Sequence, residues 1–301
     1  MQRQTLPSDL DGSLGHVAAK RRLKDLVLPV PIVEDIRDFL HEQSQIGLLR
    51  SHSLEPRHKL LLVGPPGTGK TSLAEVIASE LKLPFFVVRY DGLIASYLGE
   101  TASRLRKLTD FVAERPCVVF FDEFDTLGKE RGDQQETGEI KRVVSSLLLQ
   151  MDALPSHCVV VCATNHPELL DRAVWRRFDL RLDVPLPGET QIREWLGRLS
   201  DDHPEKMRVD TDDFVSPLLG MNFSDIEAFT LDIRRRIVLS NGDINLQEAA
   251  TSGLRRLKER KSRMRSVDDF KTTDNPPPPR AVRPKKNEGR APKAASKGPS
   301  S

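Results

Sequence analysis

Five short apolar runs recur between residues 59 and 184: Lys59–Val63, Pro84–Tyr90, Cys117–Phe121, Cys158–Cys162 and Arg181–Val184. Between them, Ser72–Leu83, Thr101–Glu114 and Gly138–Leu154 carry apolar residues at helical spacing. Runs that are apolar at every position, rather than at alternate ones, belong to strands buried on both faces. Strands separated by helices, not by tight turns, must pair in parallel. The pattern predicts an α/β fold in which a parallel sheet is sandwiched by helices. On such a sheet, ligands bind at the carboxyl ends of the strands.

After Pro187 the strand signals stop. Glu189–Ser200, Thr211–Leu219, Ser224–Leu239 and Leu246–Lys261 read as four helices, with Ser224 an expected N-cap and Glu227 completing a capping box. Past Arg265 the periodicity ends, and Asn275-Pro276-Pro277-Pro278-Pro279-Arg280 opens a stretch too poor in apolar residues to bury a core. The expected domains are a short extension over 1–8, a large α/β domain over 9–187, an all-helical domain over 188–265 and a disordered basic tail over 266–301.

Charge narrows the function classes. The chain of 301 residues has a net charge of +2, but eight cations against two acids make residues 271–301 +6 and leave the rest at −4. A body this close to neutral gives no case for nucleic-acid binding outside the tail. Cys117, Cys158 and Cys162 lie in or beside apolar runs without a second metal-ligand pair at zinc spacing, so they read as small buried hydrophobes in a reducing compartment. There is no export-like leader at the N-terminus and no run of membrane-spanning length, so the expected location is the cytoplasm.

The strand Leu60-Leu61-Leu62-Val63 runs into Gly64-Pro65-Pro66-Gly67-Thr68-Gly69-Lys70-Thr71, then Ser72 and a helical pattern. Glycines in such a loop let backbone N–H groups converge on phosphate oxygens, and the helix after it adds its positive end. Lys70 is placed to reach the outer phosphates of ATP, and Thr71 to hold Mg²⁺. Downstream, Val118-Val119-Phe120-Phe121 ends in Asp122 and Glu123. Beside a phosphate loop, Asp122 suits Mg²⁺ binding and Glu123 suits polarising the attacking water. Val159-Val160-Val161-Cys162-Ala163-Thr164 repeats the design and delivers Asn165, a residue able to bond both the γ-phosphate and that water.

With these motifs in order, the chain resembles the AAA family of AAA+ ATPases across about residues 9–262, and is similar to the ATPase modules of AAA proteases, protein unfoldases and microtubule-severing enzymes. Leu14-Gly15-His16-Val17-Ala18-Ala19-Lys20 matches the family's N-terminal segment, whose backbone (here Leu14 and Gly15) lies beside adenine. Residues Gly138–Asp152 match the helix after the second pore loop, and Lys129–Thr137 that loop itself. The resemblance implies a P-loop AAA+ module: a five-stranded parallel sheet followed by a small helical lid.

It also implies partners. Asp171-Arg172-Ala173-Val174-Trp175-Arg176-Arg177-Phe178-Asp179 resembles the segment that supplies arginine fingers to a neighbouring subunit, with Arg176 and Arg177 as the matching pair, so a ring, usually a homohexamer, is expected. Tyr97-Leu98-Gly99 matches the aromatic–hydrophobic–glycine loop that grips polypeptide in the central pore. The chain departs from the family at Gly220-Met221-Asn222-Phe223-Ser224-Asp225-Ile226, where Phe223 stands in place of a glycine. The expected function is ATP-driven unfolding, threading or remodelling of protein substrates, with a separately encoded protease or an adaptor as further partner. A DNA-associated loader or initiator and a nucleotide-gated signalling switch are the alternatives.

Overall fold

The computed structural model describes residues 7, 10, 12–93, 98–127, 147–201, 212–241, 243–244 and 247–257. The chain divides into Met1–Leu254 and Arg255–Ser301, and the sheet with its covering helices belongs to the first unit.

Six strands form one sheet: β1 (Leu14–Val17), β2 (Lys59–Val63), β3 (Phe85–Val88), β4 (Cys117–Phe121), β5 (Cys158–Thr164) and β6 (Leu180–Asp183), in the order β1-β3-β4-β5-β2-β6. The five expected runs supply the parallel strands β3, β4, β5, β2 and β6. The sixth, β1, pairs antiparallel to the outer side of β3, with Leu14 opposite Val88 and Val17 opposite Phe85. β5 runs two residues beyond its apolar run because Ala163 and Thr164 continue the register against Leu62 and Val63.

The helices are α1 (Val30–Ser44), α2 (Ile46–Ser51), α3 (Lys70–Leu81), α4 (Tyr90–Leu93), α5 (Leu98–Ala113), α6 (Arg172–Trp175), α7 (Glu189–Asp201), α8 (Asp212–Leu218) and α9 (Phe223–Leu239), with further helical residues at 147–152 and 247–254. Successive strand side chains point to opposite faces, and both faces are apolar. Leu60, Leu62, Phe120 and Val161 pack with Ile36 and Phe39 of α1 and Leu73 and Ile77 of α3. Leu61, Val119, Phe121 and Val160 pack on the other side with Leu105, Leu108 and Val112 of α5 and with Met151. All three cysteines are buried free thiols, and Cys117 and Cys158 are register partners with sulfurs 3.8 Å apart. Each fully buried Leu or Phe contributes about 1.5–3 kcal/mol, so the strand ends carrying polar residues stand on a stiff base.

In the helical part, Phe214, Val215, Leu218, Ile226, Phe229 and Ile233 are buried. The cap of α9 is one correction to the sequence reading. Asn222, not Ser224, is the N-cap, its Oδ1 accepting from Asp225 N at 2.8 Å. Ser224 lies inside the first turn, where its backbone N–H donates to Gly67 O at 3.1 Å. Among the described residues, no helix is long and apolar enough to cross a membrane.

Candidate functional site

Residues 64–71 connect the carboxyl end of β2 to the start of α3. Two glycines are required by what surrounds them. Gly64 has φ +152°, and a Cβ there would lie 2.1 Å from Val184 O beyond β6. Gly67 has φ +74°, and a Cβ there would meet the Asn222 side chain at 2.7–2.9 Å. The first lets the loop leave the sheet edge-on to its neighbour; the second lets the helical part seat on the loop. Thr68 is buried and donates to Pro65 O at 3.0 Å, which folds the loop back on itself. Pro66 sits at the loop's outer, exposed side.

Lys70, the first residue of α3, turns its ammonium into the loop. It donates to Gly64 O at 2.7 Å, Pro65 O at 2.9 Å and Asn165 Oδ1 at 2.6 Å, which uses all three of its donors. Burial lowers its pKa, and the nearby Asp122 and Asp125 carboxylates pull the other way. Next in sequence, Thr71 Oγ1 donates to Asp122 Oδ2 at 2.8 Å. The loop is thereby joined to the end of β5 through Lys70 and to the end of β4 through Thr71. Ser72 accepts a hydrogen bond from the Arg21 guanidinium.

Asp122 accepts a second bond from Glu123 N at 2.9 Å. Glu123 is exposed and has φ +48°, a left-handed conformation that costs a non-glycine residue on the order of 1–3 kcal/mol. The strain turns the chain sharply off β4 so that the two acids do not continue the strand. Two residues missed by sequence reasoning brace this turn. Asp125 is buried and accepts from Thr164 Oγ1 at 2.9 Å, and Thr164 Oγ1 in turn accepts from His166 N at 2.9 Å. That link holds the exits of β4 and β5 together beside Asn165. Behind them, the hydroxyl of Tyr90, the first residue of α4, is buried and has no hydrogen-bond partner among the described residues. Burial pushes its pKa well up, and Cys162 and the Asp122, Asp125 and Glu123 charges add to the effect.

A cavity of about 160 Å³ opens beside the loop, lined by Gly67, Thr68, Gly69 and Ser72, by Arg21 and residues 25–28, and by Trp195, Phe223, Ser224 and Glu227. The Trp195 and Phe223 rings stand 5.8 Å apart, tilted by 57°. Leu14 and Gly15 are not at this cavity. They are buried in β1 at the opposite edge of the sheet from the β2–β6 side, with Gly15 against the Arg89 side chain. The N-terminal residues at the cavity come instead from the segment after β1, residues 21–28.

The paired arginines have different surroundings. Arg177 donates from Nε to Asp152 Oδ2 at 2.8 Å and from Nη1 to Ala173 O at 2.9 Å, and Lys59 approaches the other Asp152 oxygen at 3.4 Å. Arg176 is exposed, and its side chain has no partner among the described residues. Leu98 opens α5. Tyr97, and with it the loop reading for residues 129–137, lies outside the described residues.

Residues 60–186 match the model of the ATPase family associated with various cellular activities (AAA). An uncharacterized AAA family ATPase, y4kL, of Sinorhizobium fredii is 39% identical over 78% of this chain and 73% of its own length. The ATP-dependent zinc metalloprotease FtsH 3 of Sphaerobacter thermophilus is 36% identical, and the peroxisomal ATPase pex6 of Schizosaccharomyces pombe 40% identical, over 63% and 57% of this chain. The chain spans 40% and 20% of those two relatives. With 73% of the length of a 39% identical AAA family ATPase covered, the chain belongs to the AAA family and is an ATP-hydrolysing enzyme.

Proposed function

We propose that this ATPase works as a ring, in the simplest case a homohexamer, that uses hydrolysis to unfold, thread or otherwise remodel protein substrates. The observation carrying the reading is that Lys70, Thr71, Asp122 and Asn165, drawn from three adjacent strand ends, meet within hydrogen-bond distance. In this reading the triphosphate lies on Gly64–Thr71 and Lys70 exchanges its loop carbonyls for phosphate oxygens. Thr71 and Asp122 offer two oxygens 2.8 Å apart, a hard donor set suited to Mg²⁺. A Mg²⁺ ion held there would supply positive charge beside the two acids. Glu123 takes the proton of the attacking water. Asn165, its Oδ1 turned to Lys70, presents its amide N–H₂ to a phosphate oxygen or that water.

Arg176 is the better-placed finger for a neighbour's γ-phosphate, because Arg177 is engaged by Asp152 within its own subunit. The domain division of 9–187 and 188–265, a cytoplasmic location and the polypeptide grip of Tyr97 and Leu98 complete the proposal. The names of the FtsH 3 and pex6 relatives support its general direction: one is a metalloprotease and the other a peroxisomal ATPase. A separately encoded protease or an adaptor would then choose the client, and the basic tail is where nucleic acid or an acidic partner would attach.

The test combines two variants of the full chain. Glu123→Gln should trap ATP-bound assemblies of ring size in gel filtration with multi-angle scattering. Tyr97→Ala should keep hydrolysis but lose ATP-dependent unfolding of a fluorescent model protein. Unimpaired unfolding by Tyr97→Ala would remove the threading mechanism, and monomers under Glu123→Gln with ATP would remove the ring.

A further inference from the structure

We infer that Cys117 and Cys158 form a redox site: hydrogen peroxide closes them to a disulfide that staples β4 to β5, stabilising the fold and leaving hydrolysis intact. The two are register partners, each the first residue of its parallel strand. Neighbouring strands lie about 4.8 Å apart, inside the window of about 4.4–6.8 Å between Cα atoms that a disulfide spans. Both side chains belong to the same core cluster, on one face of the sheet, and their sulfurs are 3.8 Å apart. Cys117 Sγ donates to Val112 O at 3.6 Å, so the hydrogen bond between the sulfurs is donated by Cys158. The third thiol is a built-in control. Cys162 lies on the same strand as Cys158 and is equally buried, but its register partner is Phe121.

Both thiols are buried, and the hydrogen bond with Cys117 together with burial pushes the Cys158 pKa up, so the closed core keeps them protonated and slow to react. Their place at the strand starts supplies the entry. Cys117 follows the exposed Pro116, and Cys158 follows the half-buried His157, whose Nε2 lies 2.8 Å from Ala113 O at the end of α5. Strand ends open locally at lower cost than strand centres, and peroxide is small enough to use such an opening. One sulfur attacks the peroxide: an S–O bond forms, the O–O bond breaks, and the departing hydroxide takes the thiol proton as water. The other sulfur then attacks the sulfenic acid: the S–S bond forms, the S–O bond breaks, and a second water leaves with the remaining proton. Peroxide gains the two electrons that the thiols lose. The new bond joins positions 41 residues apart in sequence, so it removes freedom from the unfolded chain. Asp122 and Asn165 follow the opposite ends of these strands, about 16 Å along β4 and about 23 Å along β5 from the cysteines. The small shift that closes the bond does not reach them.

The experiment treats the full-length chain with hydrogen peroxide in native buffer, blocks the remaining thiols and maps the peptides by mass spectrometry. A disulfide between Cys117 and Cys158 should form within single chains, and Cys162 should stay a thiol. The oxidised chain should unfold roughly 4–16 °C higher than the reduced one. Dithiothreitol should reverse the gain, and ATP turnover should be the same in both forms. Cys117→Ala and Cys158→Ala should each abolish the peroxide-dependent gain, whereas Cys162→Ala should keep it. A disulfide that forms only in urea beyond the unfolding midpoint would overturn the site. So would oxidation of Cys162 at the same rate, or an oxidised chain that unfolds no higher than the reduced one. Turnover lost on oxidation of the unaltered chain but kept in Cys117→Ala would overturn the claim that the staple spares hydrolysis.

Discussion

The two ends of the proposed nucleotide site are built from different material. The phosphate end is made from the tips of β2, β4 and β5, whose side chains are buried on both faces of the sheet, and its polar groups bond directly from strand to strand. The base end, the cavity beside the loop, is made from residues 21–28, which bond to Ser72, Glu75 and Glu80 of α3, and from two helices after Pro187, one of which meets the loop through Ser224 N and Gly67 O. Hydrolysis requires reacting groups fixed to a fraction of an ångström, which a close-packed sheet supplies.

Substitutions at each end should separate the two. The largest effect is expected of Lys70→Ala. Losing the cation that joins the loop to Asn165 should abolish nucleotide binding in calorimetric titration, and retained tight binding would break the contrast at its firm end. Arg176→Ala should lower turnover of assembled protein by about 10³–10⁵-fold, as fingers do in related NTPases, without changing the melting temperature. Arg177→Ala should lower the melting temperature as well, because it strips Asp152 and Ala173 O of a donor. Equal melting temperatures for the two variants would erase the distinction. At the base end, Asn222→Ala removes the cap of α9 and should cost about 1 kcal/mol of stability in urea unfolding. It should affect ATP affinity more than turnover at saturation. The smallest effect is at Tyr90. Tyr90→Phe deletes a buried hydroxyl without a described partner and should stabilise the protein by up to about 1 kcal/mol. A shift of the urea midpoint in the opposite direction would show that the hydroxyl has an acceptor.

The same contrast decides what could be read from sequence. β2, β3, β4 and β5 were legible because burial on both faces leaves nearly continuous apolar runs, and polar residues following them stood out; β6 showed instead as an alternating edge strand, Leu-Arg-Leu-Asp. β1 was not, since Leu14–Val17 is short and its strand form depends on β3 offering an edge. The base end was less legible for a related reason. Arg21, Trp195 and Phe223 are far apart in sequence and share no periodicity; only folding brings them to one cavity. At the start of α9, Asn222 and Ser224 are both good caps by type. The choice falls to tertiary contacts: Ser224 N reaches Gly67 O, and Asn222 closes over Gly67. Asp125 and Thr164 escaped notice because each reads as an ordinary neighbour of a motif residue until their bond across two strands is seen.

The strand order has a consequence for how the enzyme is made. β2 leads into the loop proposed to hold the phosphates, yet both its neighbours, β5 and β6, are encoded far downstream, ending at Thr164 and Asp183. At ~5–20 residues per second, the ribosome needs roughly 6–24 s after Val63 to deliver the last partner. Until β5 is made, Leu60, Leu61 and Leu62 have no strand beside them, and an unpaired apolar strand is prone to pair with another nascent chain. The segment that defines the enzyme is thus among the first synthesised and the last completed, and a chain arrested before β6 would carry an intact loop on an unfinished support.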